Sequence, residues 1–237
     1  MAPVERVDLT VVDQNPRLLV GYRETARRWG VAREMEAVRS SRERLLLRSR
    51  KLAVAIRFVP ARIPEGLAAV IRSPFELAVA QSFWDLVRPG AAVPLARAVL
   101  RPGGVFYATL TFAGRTVFSP PHEDDREVVE AYHASMTNPR AGPRLASGFA
   151  AGNSGFEVLG SGRSDWRVEP HRGSYAADEA LFLQTILGFF EKELSRPDGR
   201  LDHHARNWLE ARRRQLHRRE LRFTAFQMDL AAERNPA

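Results

Sequence analysis

The stretch from Phe75 to Phe112 reads F-E-L-A-V-A-Q-S-F-W-D-L-V-R-P-G-A-A-V-P-L-A-R-A-V-L-R-P-G-G-V-F-Y-A-T-L-T-F. Its first part, Phe75 to Ala80, is a short apolar run with no charge after Glu76, the pattern of a strand buried on both faces. Val93 to Leu100 sets apolar residues at helical spacing, and Arg101-Pro102-Gly103-Gly104 stops that helix with glycines free to take a positive-φ turn. Val105 to Phe112 is a second apolar strand. Strand, short helix, turn and strand together predict a right-handed crossover in a parallel sheet.

Toward the N-terminus, Val7 to Val12 is β-branched and strand-like and ends at Asp13. Asn15-Pro16 then opens a helix, with Asn15 as N-cap, and Gly30 closes it. Residues 31–51 carry many helix formers and predict a further amphipathic, arginine-rich helix; the alternative is a strand at Glu34 to Val38. Leu52 to Val59 alternates, with Leu52, Val54, Ile56 and Phe58 on one face of a strand. Pro64-Glu65 opens a short helix to about Ile71.

Beyond Phe112, Ala113 to Pro121 reads as a turn followed by a short extended piece. Asp125 to Met136 and Arg144 to Ala151 are helices, and Phe156 to Leu159 is a strand with an edge-like extension through Pro170. Ala177 to Leu194 is the strongest helix, with Leu181, Ile186, Leu187, Phe189, Phe190 and Leu194 available for burial. Leu201 to Arg219 is a polar, basic helix, and Leu221 to Leu230 is a final strand. Glycine and proline do not cluster into a linker, so residues 1–237 are expected to form a single domain, with 114–176 as a substrate-side cap.

With 237 residues, 44% of them hydrophobic, the chain can build one generous core. It has no cysteine, which excludes disulfides, thiolate metal sites and a cysteine nucleophile. No segment reaches the roughly 20 apolar residues that cross a bilayer, so a soluble, cytoplasmic protein is expected. The net charge of +8 raises the question of nucleic acid, but only two of the 36 basic residues are lysine, a bias that genome composition alone produces. The basic segments Arg39 to Lys51 and Arg206 to Arg222 read as solvated helix faces, and nucleic acid is not the expected partner.

A parallel sheet with helical crossovers binds its ligand beyond the carboxyl ends of its strands. The groups expected there are Asp13 and Gln14, Ala61 and Arg62, Gln81 to Trp84, and Phe112. A carboxylate at such a strand tip can accept both hydroxyls of a ribose; Asp13 reads equally as a cap. Tyr132-His133 either closes over a substrate or is a core tyrosine beside a surface histidine. His203-His204 has diverging neighbours, and no metal site is expected.

The runs L-R-P-G-G-V-F-Y-A-T-L-T-F, A-V-A-Q-S-F-W-D-L-V and T-V-V-D-Q-N-P resemble the class I S-adenosylmethionine-dependent methyltransferase family. F-A-G-R-T-V-F-S-P, A-Y-H-A-S-M, S-D-W-R-V-E-P and A-D-E-A-L-F-L are similar to one bacterial branch of it. The resemblance implies an α/β, Rossmann-like sheet, mostly parallel with an antiparallel last strand. It implies S-adenosyl-L-methionine as cofactor, with Asp13 and Gln14 at the ribose, Ala61 and Arg62 beside the adenine, and Gln81, Ser82 and Phe83 around the methionine moiety. Trp84, Phe112, Tyr132 and His133 are the candidates for contact with a small-molecule methyl acceptor. No dedicated acid or base is required, because aligning a nucleophile with an already activated methyl is most of the catalysis. Two departures stand out. The family's first strand and its glycine-rich loop, expected ahead of Val7, are missing from a chain that begins Met1-Ala2-Pro3, so the sequence reads as truncated there. Arg62 stands where an acidic residue is common, and a guanidinium cannot accept the adenine amino hydrogens. The expectation is therefore a methyltransferase lacking its start; the alternative is a non-catalytic remnant that binds a partner. A nicotinamide-cofactor site is the weaker third reading, since the dinucleotide fingerprint is absent.

Overall fold

The computed structural model describes residues 5–71, 73–195, 199 and 201–236, and the chain folds as two compact units, Met1–Pro74 and Phe75–Ala237. In the first unit, β1 (Arg6–Asp13) is followed by α1 (Pro16–Val31), the strands β2 (Glu36–Ser40), β3 (Arg44–Arg48) and β4 (Ala53–Pro60), and the single-turn helix α2 (Leu67–Val70). The sheet order is β1-β4-β3-β2, with β1 parallel to β4 and the other two pairings antiparallel. Helix α1 starts as its sequence dictates: the Asn15 Oδ1 accepts from the Arg17 N–H at 3.0 Å, and Pro16 occupies the first turn.

The arginine-rich segment 31–51 is not a helix but the hairpin β2–β3. Its good helix formers are outweighed by burial: Leu45 and Leu47 alternate inward and join Leu19, Met35, Val54, Ile56 and Phe58 in the core under α1. Gly30 permits this packing, because a Cβ there would lie 2.9 Å from Leu47 Cδ1. The predicted face of β4 is the buried one.

The second unit runs β5 (Phe75–Gln81), a 3₁₀ turn at Trp84–Leu86, α3 (Ala92–Val99), β6 (Leu100–Ser119), α4 (Asp125–Ser135), α5 (Ala141–Ala150), β7 (Phe156–Arg163), β8 (Trp166–Val168), α6 (Glu179–Leu194), α7 (His203–His217) and β9 (Arg222–Arg234). Its sheet has the order β5-β6-β9-β7, with β8 also on β9. The crossover read from the opening stretch forms as expected: β5 and β6 are parallel, joined through α3. The last strand, β9, is antiparallel to β6 and β7. The sheets are mixed and not mostly parallel, because the hairpin in one unit and the long β6–β9 ribbon in the other are antiparallel; β1–β4 and β5–β6 are the parallel pairs among the described strands.

Four further expectations are corrected here. β5 is not buried on both faces but ends its sheet, leaving Leu77 55% and Val79 59% exposed. The turn and extended piece after Phe112 are a continuation of β6, carried across two register shifts opposite β9. At the first shift Leu110 takes φ 50° and its N–H donates to Asp229 Oδ1 at 2.9 Å, so the irregular backbone keeps a partner. On α6, Leu183, Leu187 and Phe190 are buried while Leu181 and Phe189 face outward. Helix α7 is not a wholly solvated face either, since it buries Trp208, Leu209 and Arg212.

The second unit has two cores, and β6 is long enough to serve both. Its first half, with α3 and α5, packs around Phe106, Leu100, Leu145 and Phe149. Its second half, with α4, α6 and α7, packs around Phe118, Leu187, Phe190 and Trp208.

Candidate functional site

In the first unit the structure brings together four of the expected residues at the carboxyl ends of its parallel pair. Asp13 is in register with Pro60, and the Ala61 N–H donates to the Asp13 carbonyl at 3.1 Å. Gln14 and Arg62 follow directly in sequence and are exposed. The Asp13 Oδ1 accepts from the Asn15 N–H at 2.7 Å, a turn at the strand tip, while among the described residues Oδ2 has only the Tyr22 hydroxyl at 3.4 Å. One carboxylate oxygen is thus engaged in the turn, and the other is weakly bonded. Burial, with the Asp13 charge, raises the Tyr22 phenol above its ordinary value, so it stays a proton donor. Arg62 reaches Glu65 at 3.9 Å across an exposed turn.

In the second unit Gln81, Ser82, Phe83 and Trp84 follow the carboxyl end of β5. Ser82 has φ 47°, and its N–H donates to the Thr109 carbonyl of β6 at 3.0 Å, which turns the chain sharply at the strand tip. Gln81 and Ser82 are exposed and Phe83 half-buried. Trp84 turns inward, 5% exposed, against Phe83 and Phe106 with ring centroids 5.0 and 5.5 Å away.

Phe112 and His133 are in contact, and Tyr132 lies beside His133 with its ring turned to another core. His133 meets the Phe112 ring edge-on at 5.0 Å and places Nε2 3.0 Å from Thr116 Oγ1. Burial lowers the His133 imidazole below its ordinary value, so it is held neutral. It is half-buried, not the surface histidine of the alternative reading. Tyr132 stacks on Phe190 with centroids 3.9 Å apart, as a core ring, and burial raises its phenol.

A residue that sequence reasoning passed over lies next to this set. Asp85 is half-buried, its carboxyl is pushed up by desolvation, and its Oδ1 has no hydrogen-bond partner among the described residues. The signal was one acid inside the apolar run F-W-D-L-V.

His203 and His204 diverge as expected, their rings perpendicular. Asp124, Glu127 and His204 bring ligand atoms within 4.8 Å of one another. His204 Nδ1 sits 2.7 Å from Asp124 Oδ1. That hydrogen bond, followed by the charges of Asp124 and Glu127, raises the His204 pKa above 6.5. A raised folded-state pKa adds stability in full below the unfolded value, and the gain is lost as pH rises through the folded value. The stability difference between the native chain and His204→Gln, measured by urea denaturation, should therefore be larger at pH 5.5 than at pH 8.5.

Among the described residues, no helix is long and apolar enough to cross a membrane. With two α/β units, parallel pairs ending in polar and aromatic groups, and an antiparallel last strand, the chain has the class I methyltransferase fold. It is similar to the structure of a candidate methyltransferase from Bacillus halodurans, with a TM-score of 0.50, 10% identity and coverage of 98% of this chain and 93% of that one. YjhP from E. coli also matches, at 16% identity and TM-score 0.45 over 98% and 86% of the two chains. So does Haemonchus contortus phosphoethanolamine N-methyltransferase 2, in complex with phosphomonomethylethanolamine and S-adenosylhomocysteine, at 11% identity and TM-score 0.38 over 100% and 50%. No protein-family model and no curated protein matches the sequence.

Proposed function

We propose that the chain is an S-adenosylmethionine-dependent methyltransferase acting on a small-molecule acceptor. The observation that carries this reading is Asp13: a carboxylate at the tip of a parallel strand, beside the end of β4, with one oxygen only weakly bonded. In this reading residues 1–237 act as one catalytic domain, and 114–176 shape the acceptor side. The cofactor supplies a methyl group already activated on a sulfonium. Asp13, with Gln14, would bind the ribose. Ala61 offers a small contact for the adenine, whereas Arg62 can donate hydrogen bonds but accept none and does not suit the adenine amino group. Phe112 and His133, held in place by each other and by Thr116, would meet the acceptor. Trp84 and Tyr132 fit a supporting role better, since both rings are packed in cores.

Isothermal titration with S-adenosylmethionine tests this reading. The chain should bind it in the micromolar range. Asp13→Ala should weaken binding by about 10–100-fold, the worth of charge-assisted hydrogen bonds. No binding by the chain, or unchanged binding by Asp13→Ala, would overturn the assignment.

A further inference from the structure

We propose that the groove between α3 and α5 is a second ligand site, for an amphiphilic anion with an apolar body and a carboxylate or phosphate head. It is independent of the methyltransferase reading. The groove lies wholly within the Phe75–Ala237 unit, and its cavity volume of about 650 Å³ is in the range of small-molecule sites. Its floor is apolar, with Trp84, Leu145 and Phe149 from the first core cluster of this unit.

The groove is open because the helices face each other through small residues. On α5, Ala141, Leu145 and Phe149 recur every four residues and pack inward, which leaves Arg144 and Gly148 on the lip. A Cβ at Gly148 would come no closer than 3.8 Å to Val93 of α3, so there is room between the helices. Ligand-sized space is kept here by the lack of side chains.

Charge complementarity selects the ligand. Arg88, Arg97 and Arg144 line the groove, no carboxylate does, and none of the three has an acidic partner among the described residues. Arg144 Nη1 donates to Asn138 Oδ1 at 2.6 Å, and Arg97 Nη2 donates to the carbonyls of Asn153 and Ser154, which orients both guanidinium groups while leaving other donors unspent. The Arg88 side chain has no hydrogen-bond partner among the described residues. Trp84 is 5% exposed, yet among the described residues its Nε1 lacks a partner, a buried donor that a ligand oxygen would satisfy. An arginine rim over an apolar floor suits a planar anionic head on a hydrocarbon or aryl body.

Isothermal titration of the full chain with octanoate, octyl phosphate and octanol tests this. At least one of the two anions should bind at least about tenfold more tightly than octanol, as a charge-assisted contact requires. Whichever of the two binds better identifies the head group. The double substitution Arg88→Ala and Arg144→Ala, both at exposed positions, should remove that preference. Gly148→Leu, which fills the groove and suits a helix interior, should weaken the anions and octanol alike. The proposal is overturned by equal affinity for octanol and both anions, by no binding of either anion at millimolar concentration, or by wild-type anion affinity in both variants.

Discussion

Replacing Asp125 by alanine should destabilise the Phe75–Ala237 unit by about 3–5 kcal/mol, the usual cost of removing one partner of a buried ion pair. Arg212 is 0% exposed in the core formed by α4, α6 and α7, and its guanidinium pairs with Asp125 Oδ1. The same oxygen accepts from Trp208 Nε1 at 2.7 Å, and Asp125 Oδ2 accepts from the His122 N–H at 2.8 Å. Alanine at 125 removes all three bonds and leaves a buried cation whose remaining partners are neutral: the Pro120 carbonyl, Gln215 and the faces of Phe118 and Trp208. Arg212→Met should cost less. The carboxylate it strands is 27% exposed and can be hydrated, and the Arg212 Nε already lacks a partner among the described residues. Urea denaturation of the two variants gives the comparison, and an equal cost would show that packing, not charge, dominates there.

Phe149→Ala should cost about 3–5 kcal/mol, from the lost transfer energy together with the cavity left behind. Phe149 is 0% exposed, stacked on Phe106 with ring centroids 4.7 Å apart and edge-on to Phe156 at 5.0 Å. Phe189→Ala deletes the same side chain from a position 49% exposed, and it should stay within roughly 1 kcal/mol of the native chain. The gap between the two midpoints in a urea series, at constant slope, measures burial apart from residue type.

Much of the architecture was legible because its signals are local. The N-cap at Asn15, the alternation from Leu52 to Val59 and the crossover through α3 each depend on a few neighbouring residues, and each formed as expected, while the antiparallel final strand was implied by the family resemblance. At the candidate site, sequence placed Asp13, Ala61 and Gln81 to Phe83 along one edge of a single sheet, whereas the structure has Asp13 and Ala61 at the end of the β1–β4 pair and Gln81 to Phe83 at the end of β5 in a different sheet. The inward turn of Trp84 was not legible, because the neighbouring Phe83 has much the same local pattern and stays half-buried. Nor was the isolation of the Asp85 carboxyl, which depends on what packs over a charged residue and not on its neighbours in the chain.

By itself, then, the amino-acid sequence determined where the chain turns, which strands alternate, and the crossover that defines the fold class, since capping, periodicity and glycine turns act within a helical turn or a strand. Tertiary structure alone decided that residues 36–48 form a hairpin and that β6 runs unbroken to Ser119. It also decided that α7, rich in arginine, buries Arg212 against Asp125 and Trp208. The reason is the same in each case: burial of Leu45, Leu47, Phe118 or Trp208 is worth more than local propensity, and the surfaces that cover them come from residues distant in the chain.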